Sequence, residues 1–176
     1  LIFHELAHQV LFVPGDTVFN ESFAVAVADA GLQRYSARYP LDIARLQQAR
    51  ARRAEFVALV MTHRDRLAAQ FAAAPTADAK RAIKAAIFAD LRTDHAALKQ
   101  RWGGYAGYDA WFDGLNNARL NAVSNYYELV PLFTRLLEQE GGDFARFFAA
   151  CRMLARLDYA SRRQRLAAMV AAPVEP

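Results

Sequence analysis

Apolar residues recur at helical spacing over almost the whole chain, and turn-forming residues cut the pattern into segments. Leu1–Val13 is apolar on nearly every side and reads as a buried helix; Pro14-Gly15-Asp16 stops it. Asp16 or Thr17 then caps a second helix running to about Arg38, ahead of the break at Pro40. Leu41 to about Ala73 and Ala77–Arg101 form two long helices separated by Pro75-Thr76. Their stripes, Ile43, Leu46, Phe56, Leu59 and Val60 on one arm and Ile83, Ile87 and Leu91 on the other, predict a helical hairpin over 41–101. Gly103 to Gly107 is a loop, and Tyr108–Leu115 a short aromatic helix. Asn116 or Asn117 opens a helix that Pro131 interrupts and that continues to about Glu140. Gly141-Gly142 ends it, Asp143 caps a helix to about Leu157, and a last helix starts near Tyr159 before a fraying tail. No segment alternates like a strand, so the expected fold is all-α. The expected organisation is one helical domain over 1–176, with the hairpin at 41–101 and C-terminal helices over 108–170.

Composition narrows the functional classes. The 176 residues suffice for one domain with a core. The net charge of +4, from 22 Lys+Arg against 18 Asp+Glu, is mild and spread along helices, so nucleic acid is not the expected partner. The single cysteine, Cys151, excludes an intrachain disulfide; flanked by Phe147, Phe148, Met153 and Leu154, it reads as a buried, inert thiol. Leu1–Val13 contains His4, Glu5 and His8 and is neither a signal peptide nor a transmembrane segment. It begins inside an apolar pattern with no capping residue before it, so the chain is expected to be the C-terminal part of a longer protein.

The chemistry is concentrated near the N-terminus. His4-Glu5-Leu6-Ala7-His8 is an H-E-x-x-H arrangement. On a helix the two imidazoles, four residues apart, leave from one face and can share a zinc ion. Glu5, next to His4, emerges to the side, where its carboxylate reaches the water at the metal without ligating it. On a buried helix these three polar side chains would be costly unless paired, and a metal pairs all three. A chance match on an amphipathic helix is the competing reading.

A catalytic zinc takes three protein ligands and keeps one position open. Asp16, Glu21 and Asp29 are the candidates for the third. His8 stands about 7–8 Å before the end of its helix and Glu21 about 6 Å into the next, so a reversing turn brings Glu21 nearly level with His8. Asp16 is better explained as a cap. Asp29 lies about 12 Å farther along. The setting Phe19-Asn20-Glu21-Ser22-Phe23 is a polar triplet with apolar flanks, as an inward-facing site requires.

A second polar feature is the stripe Asn117, Asn121 and Asn125, spaced i, i+4, i+8. Asn is unfavourable inside a helix, so three on one face point to a polar surface, either a cleft wall or a solvated face. Asn20, Asn117 and Asn121 are the expected substrate-binding residues. Tyr126 is the candidate oxyanion donor, with Tyr127 its rival and a core tyrosine the plain alternative.

Taken together, His4-Glu5-Leu6-Ala7-His8-Gln9 followed by Phe19-Asn20-Glu21-Ser22-Phe23-Ala24 resembles a bacterial family of zinc metallopeptidases named putative aminopeptidases. Gly31-Leu32, Asn116-Asn117-Ala118, Leu120, Tyr126 and Val130-Pro131 with Phe133 fit the same resemblance. More broadly the site is similar to gluzincins, in which two His and a Glu bind zinc. Val25, Ala28 and Ala30 stand where acidic residues would be expected in relatives. The resemblance implies the helical C-terminal part of a zincin-like metallopeptidase with a long hairpin insertion. It implies one Zn2+ held by His4, His8 and Glu21, with Glu5 as general base and a peptide as substrate. It also implies an upstream portion carrying part of a sheet, and a bacterial envelope location, periplasmic or lipid-anchored.

The expected activity is therefore zinc-dependent hydrolysis of peptide bonds, in aminopeptidase mode. Two other readings remain in play. One is an endopeptidase with the same site. The other is a helical interaction protein with a structural or vestigial zinc, working through its basic hairpin.

Overall fold

The computed structural model describes residues 2–40 and 42–171. Among these residues there are nine helices and no strand, so the fold is all-α as the periodicity predicts. They are α1 (Ile2–Val10), α2 (Thr17–Arg38), α3 (Ile43–Ala73), α4 (Ala77–Arg101), α5 (Asp109–Asp113), α6 (Asn117–Tyr127), α7 (Val130–Gln139), α8 (Phe144–Ala155) and α9 (Tyr159–Ala171). The chain divides into two compact units, residues 1–40 with 125–176, and residues 41–124. The division falls inside α6 rather than in the glycine loop after the hairpin.

In the first unit α2 is the central element. Phe19, Phe23, Ala24, Val25, Ala26 and Val27 are all buried, a run too continuous for a helix with one wet face. Phe19 meets Phe133 of α7 edge-on at 5.1 Å, and Phe23 stacks on Phe147 of α8 at 5.8 Å. Leu136, Leu154 and Leu166 close this core from α7, α8 and α9. Cys151 is fully buried within it, and burial raises its thiol pKa well above the ordinary range, so it is inert as expected. α1 folds back along α2. Phe3 lies against Gly31, where a Cβ would sit 3.2 Å from the Phe3 ring; the glycine lets the helices approach closely.

Two features of α1 differ from the sequence reading. The helix stops at Val10 instead of Val13, and Ala7 is its buried residue while Ile2 and Leu6 are 75% and 54% exposed. The early stop has a local cause. The Asn20 carboxamide accepts from Val13 N and donates to Val13 O, both at 2.8 Å, and so takes the backbone groups that another helical turn would use. Gly15, at φ 81°, then reverses the chain.

Capping explains most other boundaries. Asp16 Oδ1 accepts from Phe19 N at the start of α2, and Asp42, Thr76 and Asp143 do the same for α3, α4 and α8. Asn116, rather than Asn117, caps α6 by accepting from Arg119 N. α5 is shorter than the expected Tyr108–Leu115. Leu41 and residues 172–176, including the tail expected to fray, lie outside the described residues.

In the second unit α3 and α4 form the hairpin. The buried stripe is Phe56, Val60, His63 and Leu67 on α3 and Ile87, Phe88, Leu91, His95 and Leu98 on α4. Ile43, expected on that stripe, is exposed. Phe56 stacks on Tyr108 at 4.1 Å, which ties the loop after α4 to the hairpin. Among the described residues no helix is long and apolar enough to cross a membrane.

Candidate metal centre

The folding of α1 onto α2 brings three donor groups together. His4 and His8 leave the same face of α1 and their Nε2 atoms are 3.2 Å apart. Glu21, in the second turn of α2, places Oε2 3.2 Å from His4 Nε2 and 3.8 Å from His8 Nε2. The three side chains keep 18%, 20% and 19% of their surface exposed, so the cluster is reachable yet mostly shielded. His8 Nδ1 and Glu21 Oε2 are buried and have no hydrogen-bond partner among the described residues.

These distances can be tested against a metal. With zinc–ligand bonds of about 2.0–2.1 Å in tetrahedral geometry, neighbouring donor atoms are about 3.3 Å apart. The two separations of 3.2 Å match that spacing, and the third, His8 to Glu21, is wider at 3.8 Å. The donor set, two imidazoles and a carboxylate, is also one that zinc accepts. A carboxylate oxygen left buried without a hydrogen bond is costly, and a cation relieves the cost. Among the described residues this trio forms a group close enough to hold a metal ion.

Tyr126, at the C-terminal end of α6, lies beside the trio. Its ring stacks on His4 at 6.0 Å, and its hydroxyl hydrogen-bonds to the Glu21 carboxylate. Burial raises the phenol pKa. The charge of Glu21, the hydrogen bond to it, and the charges of Glu5 and Tyr127 raise it further. The phenol thus keeps its proton and remains a donor. Glu5 is exposed on α1, near enough to Tyr126 for its charge to be felt there.

A sequence profile described as "Putative aminopeptidase" matches residues 1–166. The chain belongs to this family. Residues 1–166 take in both units, so membership in the aminopeptidase family rests on far more than the short motif. No curated protein and no solved structure matches the chain.

The other expected site residues of this aminopeptidase-family chain are placed as follows. Asn20, expected to bind substrate, is 2% exposed, and its amide is engaged by the Val13 backbone as a latch at the corner. That engagement follows from its position four residues into α2, directly over the turn. Asn117 and Asn121 are exposed on α6 within the second unit, and Asn125 is half-buried in the first. Asp16 and Asp29, the rival third ligands, are not in the trio. Asp16 is buried and holds Arg162 of α9. The sequence reading missed Arg162. Its only signal there is helical spacing, four residues before the core Leu166.

Proposed function

We propose that the chain hydrolyses peptide bonds as a zinc-dependent aminopeptidase, with one Zn2+ held by His4, His8 and Glu21. The observation that carries this reading is the convergence of the three donors within 4.8 Å of one another, close enough to share one ion. The family's name supports the peptidase class. When bound, zinc supplies Lewis acidity, making a water nucleophilic near neutral pH and polarising the scissile carbonyl.

The chain's own residues supply the rest. Glu5, on α1 beside His4 but outside the trio, takes the proton of the attacking water and delivers it to the leaving amine. Tyr126 stays protonated; its single O–H, held by Glu21 at rest, swings to donate towards the oxygen on which negative charge develops. Because Tyr126 is 41% exposed, a substrate can reach it from solvent.

The test is cleavage of a peptide panel by the full chain, with and without a chelator. The reading expects cleavage that a chelator stops and added zinc restores. Within the panel, loss of cleavage on blocking the N-terminus marks an aminopeptidase, and retention marks an endopeptidase. Hydrolysis at the full rate in chelator would overturn the metal reading.

A further inference from the structure

The corner that carries the trio is tied to the far end of the chain by a buried ion pair. Arg162 of α9 is 5% exposed and Asp16 is 3% exposed. Arg162 Nη1 donates to Asp16 Oδ2, Nη2 donates to Leu157 O at 2.7 Å, and Nε donates to Leu154 O at 3.3 Å. The guanidinium also lies 5.3 Å from the centre of the Phe19 ring. Taking two charges out of water is expensive, and an apolar pair would fill the space at lower cost.

The pair's geometry runs straight to the donors. The second oxygen of Asp16 accepts from Phe19 N, and its carbonyl accepts from Asn20 N at 3.1 Å. Asn20 closes on both backbone groups of Val13. Arg162, Asp16, Asn20 and Val13 therefore form one connected network that sets how α2 leaves α1. Glu21 follows Asn20 directly, and His8 is on the last turn of α1.

We infer that Arg162 and Asp16 are positioning residues for the metal ligands: their buried pair holds the α1–α2 corner so that Glu21 meets His4 and His8. This rests on the metal reading proposed above. Neither residue touches the donors, and each acts only through the corner. A pair that merely docks α9 would add stability and leave metal binding unchanged.

The test measures zinc affinity by chelator competition, and the absorption spectrum of the cobalt-substituted full chain as a report of ligand geometry. Helix content by circular dichroism confirms that each variant is folded. Arg162→Met removes the charge and the three hydrogen bonds. Asp16→Asn keeps an oxygen for the Phe19 amide while removing the charge, and serves if Arg162→Met does not fold. Leu166→Ala is the control, since it removes fully buried packing from the same helix and leaves the corner's hydrogen bonds in place. The expected result is zinc binding weakened about tenfold in Arg162→Met and Asp16→Asn, the low end of the loss for groups bonded directly to metal ligands, since this pair acts through the corner. Their cobalt spectrum should change, Arg162→Lys should recover part of the loss, and Leu166→Ala should bind zinc as the parent does. Parent-like affinity in both corner variants, or equal weakening by Leu166→Ala, overturns the inference. A parent chain that binds no zinc overturns the metal reading first, before any variant is compared.

Discussion

The four histidines of this chain fall into two pairs on two helical hairpins, and the pairs are treated differently. On α3 and α4, each buried ring has its own neighbours. His63 has Leu59 O at Nδ1, 3.1 Å away, and the Asp94 carboxylate 3.2 Å from Nε2. His95 stacks on Phe112 at 3.7 Å and faces Asp109 at 4.0 Å. On α1 the rings of His4 and His8 turn their Nε2 atoms to each other and to one shared carboxylate. Burying an imidazole is costly in either place. On the long hairpin His63 meets that cost with a carboxylate of its own, and His95 rests on the Phe112 ring with an Nε2 that has no hydrogen-bond partner among the described residues, while the α1–α2 corner sets three donors around a common point. What separates the two pairs is therefore not the residue type but the sharing of one carboxylate by two rings, and it is on this sharing that the proposed metal site rests.

The sharpest way to break this comparison is to remove one histidine from each pair. His8→Ala should reduce bound zinc from about one per chain to near zero, since two protein ligands do not make a stable site. His63→Ala should leave zinc content unchanged. Elemental analysis reads both, and equal loss in the two variants would erase the distinction. The next effect is chemical. Glu5→Gln should keep its zinc and lose about 10²–10⁴-fold in kcat, the usual worth of a positioned general base. A parent rate in that variant removes Glu5 from the mechanism.

A smaller effect bears on the corner. Asn20→Ala leaves the N–H of Val13 without its partner, at a cost of about 1–3 kcal/mol, while the Val13 carbonyl keeps the Asp16 N–H at 3.2 Å. Denaturant unfolding measures it, and a loss under 0.5 kcal/mol, about the scatter of surface substitutions, would show that water replaces the latch. The smallest effect belongs to the long hairpin. Burial lowers the His95 pKa below its ordinary value of 6.5, the pull of Asp109 opposes this, and Lys99 adds to the lowering. The unfolded chain thus binds the proton more readily than the folded one. The stability this residue contributes is present above about pH 6.5 and is lost as the pH falls towards the lowered value. His95→Leu should flatten the slope of thermal stability on the acid side of about pH 6.5. An unchanged slope would assign it to other groups.

Most of the fold could be read from local signals. Asp16, Thr76 and Asp143 announce their helices through side chains that cap the backbone three residues on, and α4 begins and ends where the pattern predicts. The trio could be read as well, because a helical repeat and one reversing turn suffice to place Glu21 near His8. What escaped were effects carried by distant or non-periodic contacts. The end of α1 is set by the side chain of Asn20, seven residues beyond Val13, which reads from sequence as a site residue and acts as a latch. Arg162 finds its partner 146 residues away, a contact that spacing along a helix cannot reveal. The exposure of Ile2 and Leu6 was also hidden, since an apolar helix reads as buried whatever lies beside it.

The central claim is that two imidazoles one turn apart and a carboxylate from the following helix grip one ion. X-ray absorption at the zinc edge, on the full chain loaded with one equivalent of zinc, tests it directly. The account predicts only nitrogen and oxygen neighbours at about 2.0–2.1 Å, with the outer-shell scattering of two imidazoles. A spectrum without imidazole scattering, or with sulfur bound to the zinc, would contradict it.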